Sequence, residues 1–517
     1  MDGGPGYNAA ADLIERNLRA GREAKTAIID DRGEYAYGQL AQRVNRFANA
    51  MRGLGIHREQ RIVLCLHDGI DFPTAFLGAI KAGIIPVAVN TQLSAGEFAF
   101  MLSDSRARAV VVSSLILPTM QAAAAMLPEP KPEIIVSGPG PFEHSLDALL
   151  NVASTAADAA PTHPDEPCFW LYSSGSTGRP KGTVHLHSSL IGTAECYAIP
   201  VLGIAEDDVV FSAAKLFFAY GLGNALTFPM AVGATSVLTA ERPSPASVAR
   251  ILRGHRPTIF CGVPTLYAAM LADPDLPRPA EMALRRCVSA GEPLPQEIGR
   301  RWSARTGVDI LDGIGSTEML HIFLSNSPGD VRYGTTGKPV PGYALQIVGE
   351  EGQPVSRGEI GDLLVDGPTS AAGYWNSRER SRATFLGEWT RTGDKYYQDE
   401  DGYYVYCGRS DDMMKVNGMY VSPAEVEAAL ITDDNVLEAA VVGAPDADGL
   451  IKPKAFVVAK PGIRADDALA RALLDHTRGL LAPFKCPRWI AFTDELPKTA
   501  TGKIQRFKLR GENAGRL

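Results

Sequence analysis

Three short apolar runs, separated by helix-length stretches, set the strongest limit on how this chain can fold. Arg61-Ile62-Val63-Leu64-Cys65-Leu66, Ile84-Ile85-Pro86-Val87-Ala88-Val89 and Ala109-Val110-Val111-Val112 read as strands. Phe72 to Lys81 and Ala95 to Leu102, which lie between them, read as helices. Such alternation places the strands parallel in one sheet, with helices packed against it. The runs are continuously apolar, the pattern of strands covered on both faces. Cys168-Phe169-Trp170-Leu171-Tyr172 reads as a further strand that leads into a loop of small residues.

A chain of 517 residues is too long for one ordinary domain. Its character changes near residue 410, where Gly408-Arg409-Ser410-Asp411-Asp412 is polar and turn-like. Beyond it Ser422-Pro423-Ala424-Glu425 predicts a helix start, with Ser422 as cap, Pro423 in the first turn and Glu425 closing a capping box. Strands at Ala439–Val442 and Ala455–Val458, then a helix from Asp467 to Leu481, complete a small α+β unit. The expected division is residues 1–409 and 410–517. Residues 411–517 hold 15 basic and 15 acidic side chains, so the larger part carries the whole net charge of −8. Within the small part, residues 478–510 hold eight basic residues against Asp494 and Glu495. That local excess suits either a small polyanion or a solvated face.

Several classes are excluded. An acidic chain with no long basic run is not built for nucleic acid. The first six residues, Met1 to Gly6, lack the basic and apolar regions of a secretory leader. The seven cysteines form no CxxC pair, which fits free thiols in a reducing cytoplasm. Leu216 to Ala240 has no charged residue, but its glycines, Asn224 and Pro229 mark it as buried core or pocket wall, with no membrane span expected.

The sharpest chemical signal is Ser173-Ser174-Gly175-Ser176-Thr177-Gly178-Arg179-Pro180-Lys181-Gly182. Glycines let backbone N–H groups approach an anion, hydroxyls donate to it, and Lys181 adds charge. This is a phosphate cradle without the Gly-Lys-Ser/Thr of a Walker loop.

The string resembles the signature of the adenylate-forming enzymes, which include acyl-CoA synthetases, adenylation domains and luciferase. Asp312–Glu318, Arg391–Asp394, Gly408–Lys415 and Pro497–Lys503 resemble the family's other motifs in order and spacing, over nearly the whole chain. Ala213–Asn224, Gly313–Phe323 and Tyr333–Gly337 look similar to benzoate– and hydroxybenzoate–CoA ligases.

The resemblance implies an α/β fold. A large N-terminal domain of packed α/β sheets, with a distorted β-barrel subdomain, would precede a small mobile C-terminal α+β domain. It implies ATP, Mg²⁺ and CoA, and two steps. A carboxylate attacks the α-phosphate of ATP, then the CoA thiol displaces AMP after the small domain rotates. By resemblance Ser173, Ser174, Gly175, Ser176, Thr177, Gly178 and Lys181 form the phosphate loop. Gly291, Glu292, Pro293, Asp312 and Gly313 would line the adenine site, Thr317 would touch the α-phosphate, and Glu318 would hold Mg²⁺. Asp394 would bind the ribose, with Arg409 nearby, and Asp411 would be the hinge. Lys503 would act in adenylation, whereas Lys415 and Gly418 would approach the CoA tunnel in the second step.

The resemblance also assigns an acyl pocket: Phe218, Ala219, Tyr220, Ala290, Gly291, Gly315, His321 and Ile322. Lys215 is the one charge from Ala213 to Asn224, so no acid is present there to pair with an amino-acid ammonium. Aromatic and small residues suit a flat ring. Benzoate, a hydroxybenzoate and 2-aminobenzoate all stay open as the acid. So do a carrier-loading adenylating enzyme and a non-catalytic nucleotide binder. Acetylation of Lys503 by an acetyltransferase, reversed by a deacetylase, would remove its charge and is an expected regulatory route.

Overall fold

The computed structural model describes residues 6–173, 180–416, 419–446, 450–498 and 504–512. The predicted parallel strands are present, one residue or so from their expected limits, at Arg61–Cys65, Ile85–Ala88 and Ala109–Ser113. They lie in a seven-stranded sheet. Its order is Gly373–Tyr374, Lys181–Leu186, Pro167–Ser173, Ile85–Ala88, Arg61–Cys65, Ala109–Ser113, Glu133–Ser137. Five strands are parallel. Lys181–Leu186 and Gly373–Tyr374 run antiparallel at one end, and that end carries Ser173 and Lys181.

The helix Asp71–Lys81 is buried along its whole length. At Gly78 a Cβ would lie 2.7 Å from Phe47 Cβ, so the missing side chain lets helix Tyr37–Gly53 approach. The buried Asp71 is satisfied by Arg43 at 2.6 Å, Arg32 at 2.9 Å and the Ser137 hydroxyl at 2.7 Å, as a buried charge requires.

A second sheet has nine strands, ordered Lys338–Pro339, Ile322–Ser325, Ile310–Gly315, Arg286–Ser289, Ile259–Gly262, Val209–Ser212, Thr235–Val237, Thr26–Asp30, Gly33–Ala36. Its middle is parallel and both ends are antiparallel. Residues 216–240, charge-free in sequence, form short helices and the strand Thr235–Val237 within the buried core. Among the described residues no helix is long and apolar enough to cross a membrane. A separate five-stranded antiparallel sheet spans residues 344–409.

The C-terminal part has a three-stranded sheet of Val436–Pro445, Ile451–Ala459 and Trp489–Phe492. Helices Pro423–Ile431 and Asp467–Leu480 accompany it, with Val426, Leu430, Val441, Val457 and Leu473 in one core. Ser422 caps the first helix by accepting the Glu425 N–H at 3.2 Å. The box is not closed as expected, because the Glu425 carboxylate pairs with Lys485 at 2.6 Å. The local basic excess is also largely internal. Lys485, Lys498, Arg506 and Arg510 pair with Glu425, Glu438, Glu427 and Asp412. The linear charge count missed these partners, since most lie about 60–100 positions away in sequence.

The polar joint divides between the two parts. The Ser410 hydroxyl donates to Asp362 at 2.8 Å, and its N–H donates to Gly393 O at 2.9 Å. Asp411 O and the Asp412 carboxylate accept from Arg510 on the last helix.

Candidate active site

Ser173 ends one strand and Lys181 begins the next, and the two are register partners in an antiparallel pair. The residues expected between them as a phosphate cradle, Ser174, Gly175, Ser176, Thr177 and Gly178, lie outside the described residues. Glu318 faces this strand pair. Its Oε1 accepts from Ser173 Oγ at 3.3 Å and from Tyr374 OH at 2.7 Å, and stands 3.9 Å from Lys181 Nζ. Lys181 Nζ also donates to Tyr374 OH at 3.2 Å and lies 4.2 Å from that ring's centre. Burial lowers the Lys181 pKa from its ordinary value, against the pull of Glu318. Thr317 is fixed through its carbonyl, which accepts from His185 Nε2 at 2.8 Å. His185 stacks on Phe169 with ring centres 5.0 Å apart.

Of the adenine residues expected from sequence, Gly291, Glu292 and Pro293 follow the C-terminal end of one parallel strand, and Asp312 and Gly313 lie within its neighbour Ile310–Gly315. Ala290, Gly291, Glu292 and Pro293 follow strand Arg286–Ser289, whose Ser289 pairs in register with Asp312. That strand end is the usual ligand position in a parallel sheet. Asp312 is buried, and burial pushes its pKa well above the ordinary value. Its Oδ1 has no hydrogen-bond partner among the described residues. A buried acceptor left open suits an N–H donor such as an exocyclic amine. Asp394 is buried and pairs with Arg409 at 3.0 Å across the antiparallel strands.

The pocket wall is built from separate elements. Tyr220 OH reaches Gly262 O and Val288 O, each at 3.2 Å, so two sheet strands anchor it. Its own carbonyl accepts from His321 Nε2 at 3.3 Å. His321 is buried and packs edge-on to Phe228, with ring centres 4.5 Å apart. Burial pushes its pKa down to about 3. A carbonyl only accepts, so Nε2 carries the proton and Nδ1 is left as a buried acceptor with no partner among the described residues. Gly315 and Ile322 are register partners beside it. Lys215 donates to Thr239 O and, at 2.8 Å, to Glu241 O.

Lys503 and Gly418 lie outside the described residues. Lys415 sits in the short strand Met414–Val416, paired with Met419–Val421, and Asp411 is exposed at the joint. Tyr374, His185 and Asp68 escaped the sequence reading. Asp68 is buried, and its Oδ1 accepts the Leu216 N–H at 3.1 Å at the entry to the pocket segment. Tyr374 reaches Glu318 across 56 positions, which no local pattern reports.

Residues 14–375 match the family described as AMP-binding enzyme, and residues 425–503 match the AMP-binding enzyme C-terminal domain. The chain belongs to the adenylate-forming, AMP-binding enzyme family. A benzoate–CoA ligase of Thauera aromatica is 62% identical over 506 residues, 98% of this chain and 96% of that protein. A 4-hydroxybenzoate–CoA/benzoate–CoA ligase of Rhodopseudomonas palustris is 52% identical over 98% of this chain and 95% of its own length. The crystal structure of a benzoate CoA ligase from Burkholderia xenovorans LB400 superposes with a TM-score of 0.92 at 54% identity, covering 98% of this chain and 100% of that one. The Ser173, Lys181, Glu318 and Tyr374 cluster lies at the end of the antiparallel strand pair Pro167–Ser173 and Lys181–Leu186.

Proposed function

We propose that this member of the AMP-binding family is an aryl-CoA ligase, joining benzoate or a ring-substituted benzoate to CoA at the expense of ATP. One observation carries the choice of acid: the wall of Ala219, Tyr220, Gly315, His321 and Ile322 is uncharged, because burial holds His321 neutral. An amino acid's ammonium has no counter-ion in that wall. The high identity to ring-acid ligases along the full chain supports the same choice.

The acid's oxygen attacks the α-phosphorus, and the bond to the bridging oxygen breaks with its electron pair leaving on pyrophosphate. The CoA sulfur then attacks the acyl carbon, and AMP leaves. Adenylation replaces an oxide leaving group with a phosphate ester, and the site must stabilise charge on the transferred phosphoryl group. Lys181 supplies positive charge beside Glu318, and Asp394 with Arg409 is placed for the ribose. Thr317 is held by His185 for the α-phosphate, and Lys503 approaches the reacting oxygens.

A single carboxylate with hydroxyl neighbours fits Mg²⁺, a hard ion that takes one or two carboxylates and draws its other ligands from phosphates and water. Among the described residues no cluster of three or more His, Cys, Asp or Glu could form a protein cage for a metal. Glu318 would hold the ion, which supplies charge neutralisation for the polyphosphate.

The small part, beginning at residue 410 and hinged at Asp411, would rotate between the steps. Ser410 is bound to one part and Asp412 to the other, which supports a pivot at this place. His321 Nδ1 offers an acceptor for a ring O–H or N–H, and shape alone discriminates poorly against an added hydroxyl, by about 10²-fold.

The test is AMP and thioester formation with ATP, CoA and a panel: benzoate, 2-, 3- and 4-hydroxybenzoate, 2-aminobenzoate, cyclohexanecarboxylate and phenylalanine. Thioester from ring acids is expected, and none from phenylalanine. Pyrophosphate release without thioester would redirect the acceptor to a carrier protein. No turnover with any acid would overturn the enzymatic reading.

A further inference from the structure

The turn between strands Ile310–Gly315 and Ile322–Ser325 carries Glu318 and, three residues on, His321. Its peptide planes are held one by one. The Thr317 carbonyl accepts from His185 Nε2 at 2.8 Å, and the Glu318 carbonyl accepts the Ala371 N–H at 2.8 Å. The Met319 carbonyl accepts the Thr369 hydroxyl at 2.7 Å and the His321 N–H at 2.8 Å. Leu320, the next residue, has a φ of 65°. A side chain with a Cβ resists this left-handed region, so the conformation persists only where its surroundings fix it. The planar peptide that begins at the Met319 carbonyl ends at the Leu320 nitrogen. Holding that carbonyl therefore holds the bend between Glu318 and His321.

Thr369 is fully buried, on the segment that leaves strand Gly361–Asp366 of the five-stranded sheet and enters strand Gly373–Tyr374 of the seven-stranded one. Tyr343 OH lies 2.7 Å from its Oγ1. A carbonyl only accepts, so the Thr369 proton points to Met319 and Tyr343 donates to Thr369. The chain from Tyr343 through Thr369 to Met319 thus has one direction, and successive hydrogen bonds of this kind strengthen one another. The Tyr343 ring lies flush against the backbone at Gly367, where a Cβ would stand 2.2 Å from Cδ1. Tyr343, Thr369 and Met319 are anchored in three different sheets or their connections, so the turn cannot shift without moving all of them.

We infer, building on the proposed ligase activity, that Thr369 is a positioning residue shared by two subsites, setting both the Glu318 carboxylate that would face Mg²⁺ and the His321 wall of the acid pocket through the Met319–Leu320 peptide. Tyr374 orients the Glu318 carboxylate from its tip, whereas Thr369 fixes the backbone from which that side chain and His321 both project. Removal of one hydroxyl should therefore weaken the use of the metal and of the aryl acid together. A residue that merely filled space in the core would not link the two.

The experiment measures the benzoate KM and the Mg²⁺ concentration for half-maximal adenylation in wild type, Thr369→Val, Thr369→Ser and Tyr343→Phe. Thr306→Val is the control, because it removes a like buried bond, from the Thr306 hydroxyl to Trp302 O at 2.8 Å, just before the far end of strand Ile310–Gly315. Thr369→Val should raise both quantities, each by up to about tenfold, the scale of one lost hydrogen bond. Thr369→Ser, which keeps the hydroxyl, should restore both, and Tyr343→Phe should shift both in the same direction by less. The kcat of thioester formation from saturating supplied acyl-adenylate should hold. A rise in only one of the two quantities overturns the inference, as do equal effects of Thr369→Val and Thr306→Val. Should Thr369→Val not fold, Tyr343→Phe decides, and values equal to wild type overturn the inference. Should wild type form no acyl-adenylate, the activity reading falls separately. Calorimetric titration of Mg-ATP and of benzoate into the full chains then decides the role of Thr369, with weaker binding of both by Thr369→Val supporting it and any other result overturning it.

Discussion

The Tyr374 hydroxyl donates to Glu318 Oε1 at 2.7 Å, while the ring of the same tyrosine lies 4.2 Å from Lys181 Nζ. One side chain therefore orients both the carboxylate proposed to hold Mg²⁺ and the lysine proposed to face the phosphates. Tyr374→Phe keeps the ring and removes the donor. A hydrogen bond to a charged group contributes about 1.5–3 kcal/mol. Adenylation should fall about 10–100-fold in kcat/KM, with an increased Mg²⁺ requirement. Thioester formation from supplied acyl-adenylate should change little. Equal loss in both half-reactions would show that Tyr374 supports the fold and not this site.

Gly223 marks how closely the pocket wall is packed. An added Cβ would stand 2.4 Å from His321 Cδ2, 2.7 Å from Nε2 and 3.0 Å from Phe228 Cζ. His321 has little room to yield, with Tyr197 and Tyr220 ring centres 5.5 and 5.7 Å away. Gly223→Ala should cost about 1–3 kcal/mol of stability through overpacking. Steady-state kinetics should show a higher KM for the aryl acid at unchanged KM for ATP. A change in the ATP KM alone would place His321 away from the acid.

Lys503 and Lys415 are proposed to serve different steps. Lys503→Ala should abolish pyrophosphate release and spare thioester formation from supplied acyl-adenylate. Lys415→Ala should slow the second step more than the first. Acetylation of Lys503 removes the same charge and should reproduce the first pattern. Loss of both half-reactions in Lys503→Ala would refute the division.

The strands of the first sheet were legible because both their faces are buried, so apolar runs such as Ala109–Val112 report them directly. Ser173 and Lys181 stand out in sequence because their glycines, hydroxyls and lysine fall in one short contiguous string, and the fold makes the two register partners; their proposed phosphate role rests on that string. The antiparallel end of that sheet was not legible, since Gly373–Tyr374 is a two-residue strand paired with a segment about 190 positions earlier. The Tyr374–Glu318 contact shares that origin. Sequence order also hid the ion pairs of the C-terminal part. Arg506 reads as free positive charge until the fold brings Glu427 to 2.8 Å.

Acid sensitivity offers a test of the buried core. His187 is 2% exposed, and its Nδ1 accepts the Ala9 N–H at 3.2 Å, which requires that nitrogen to be unprotonated. Burial pushes its pKa down to about 4. The unfolded chain takes up the proton near the ordinary value of 6.5, and the native chain does not. This contribution to stability is therefore complete above pH 6.5 and lost as pH falls toward 4. Lowering the pH from 7 to 5.5 should cost about 1 kcal/mol through this one group. His185, pushed down to about 4, and His321, down to about 3, act in the same sense. Asp68, pushed up to about 6 by burial, acts oppositely, because its native form keeps a proton that the unfolded chain releases. The buried Asp312 opposes them in the same way. A difference measurement removes these shared terms. His187→Asn retains an acceptor for Ala9 and cannot be protonated in this range. Its loss of stability between pH 7 and 5.5, followed by urea unfolding, should be smaller than that of wild type by about 1 kcal/mol. Identical pH dependence in the two proteins would mean that His187 is protonated in the native state.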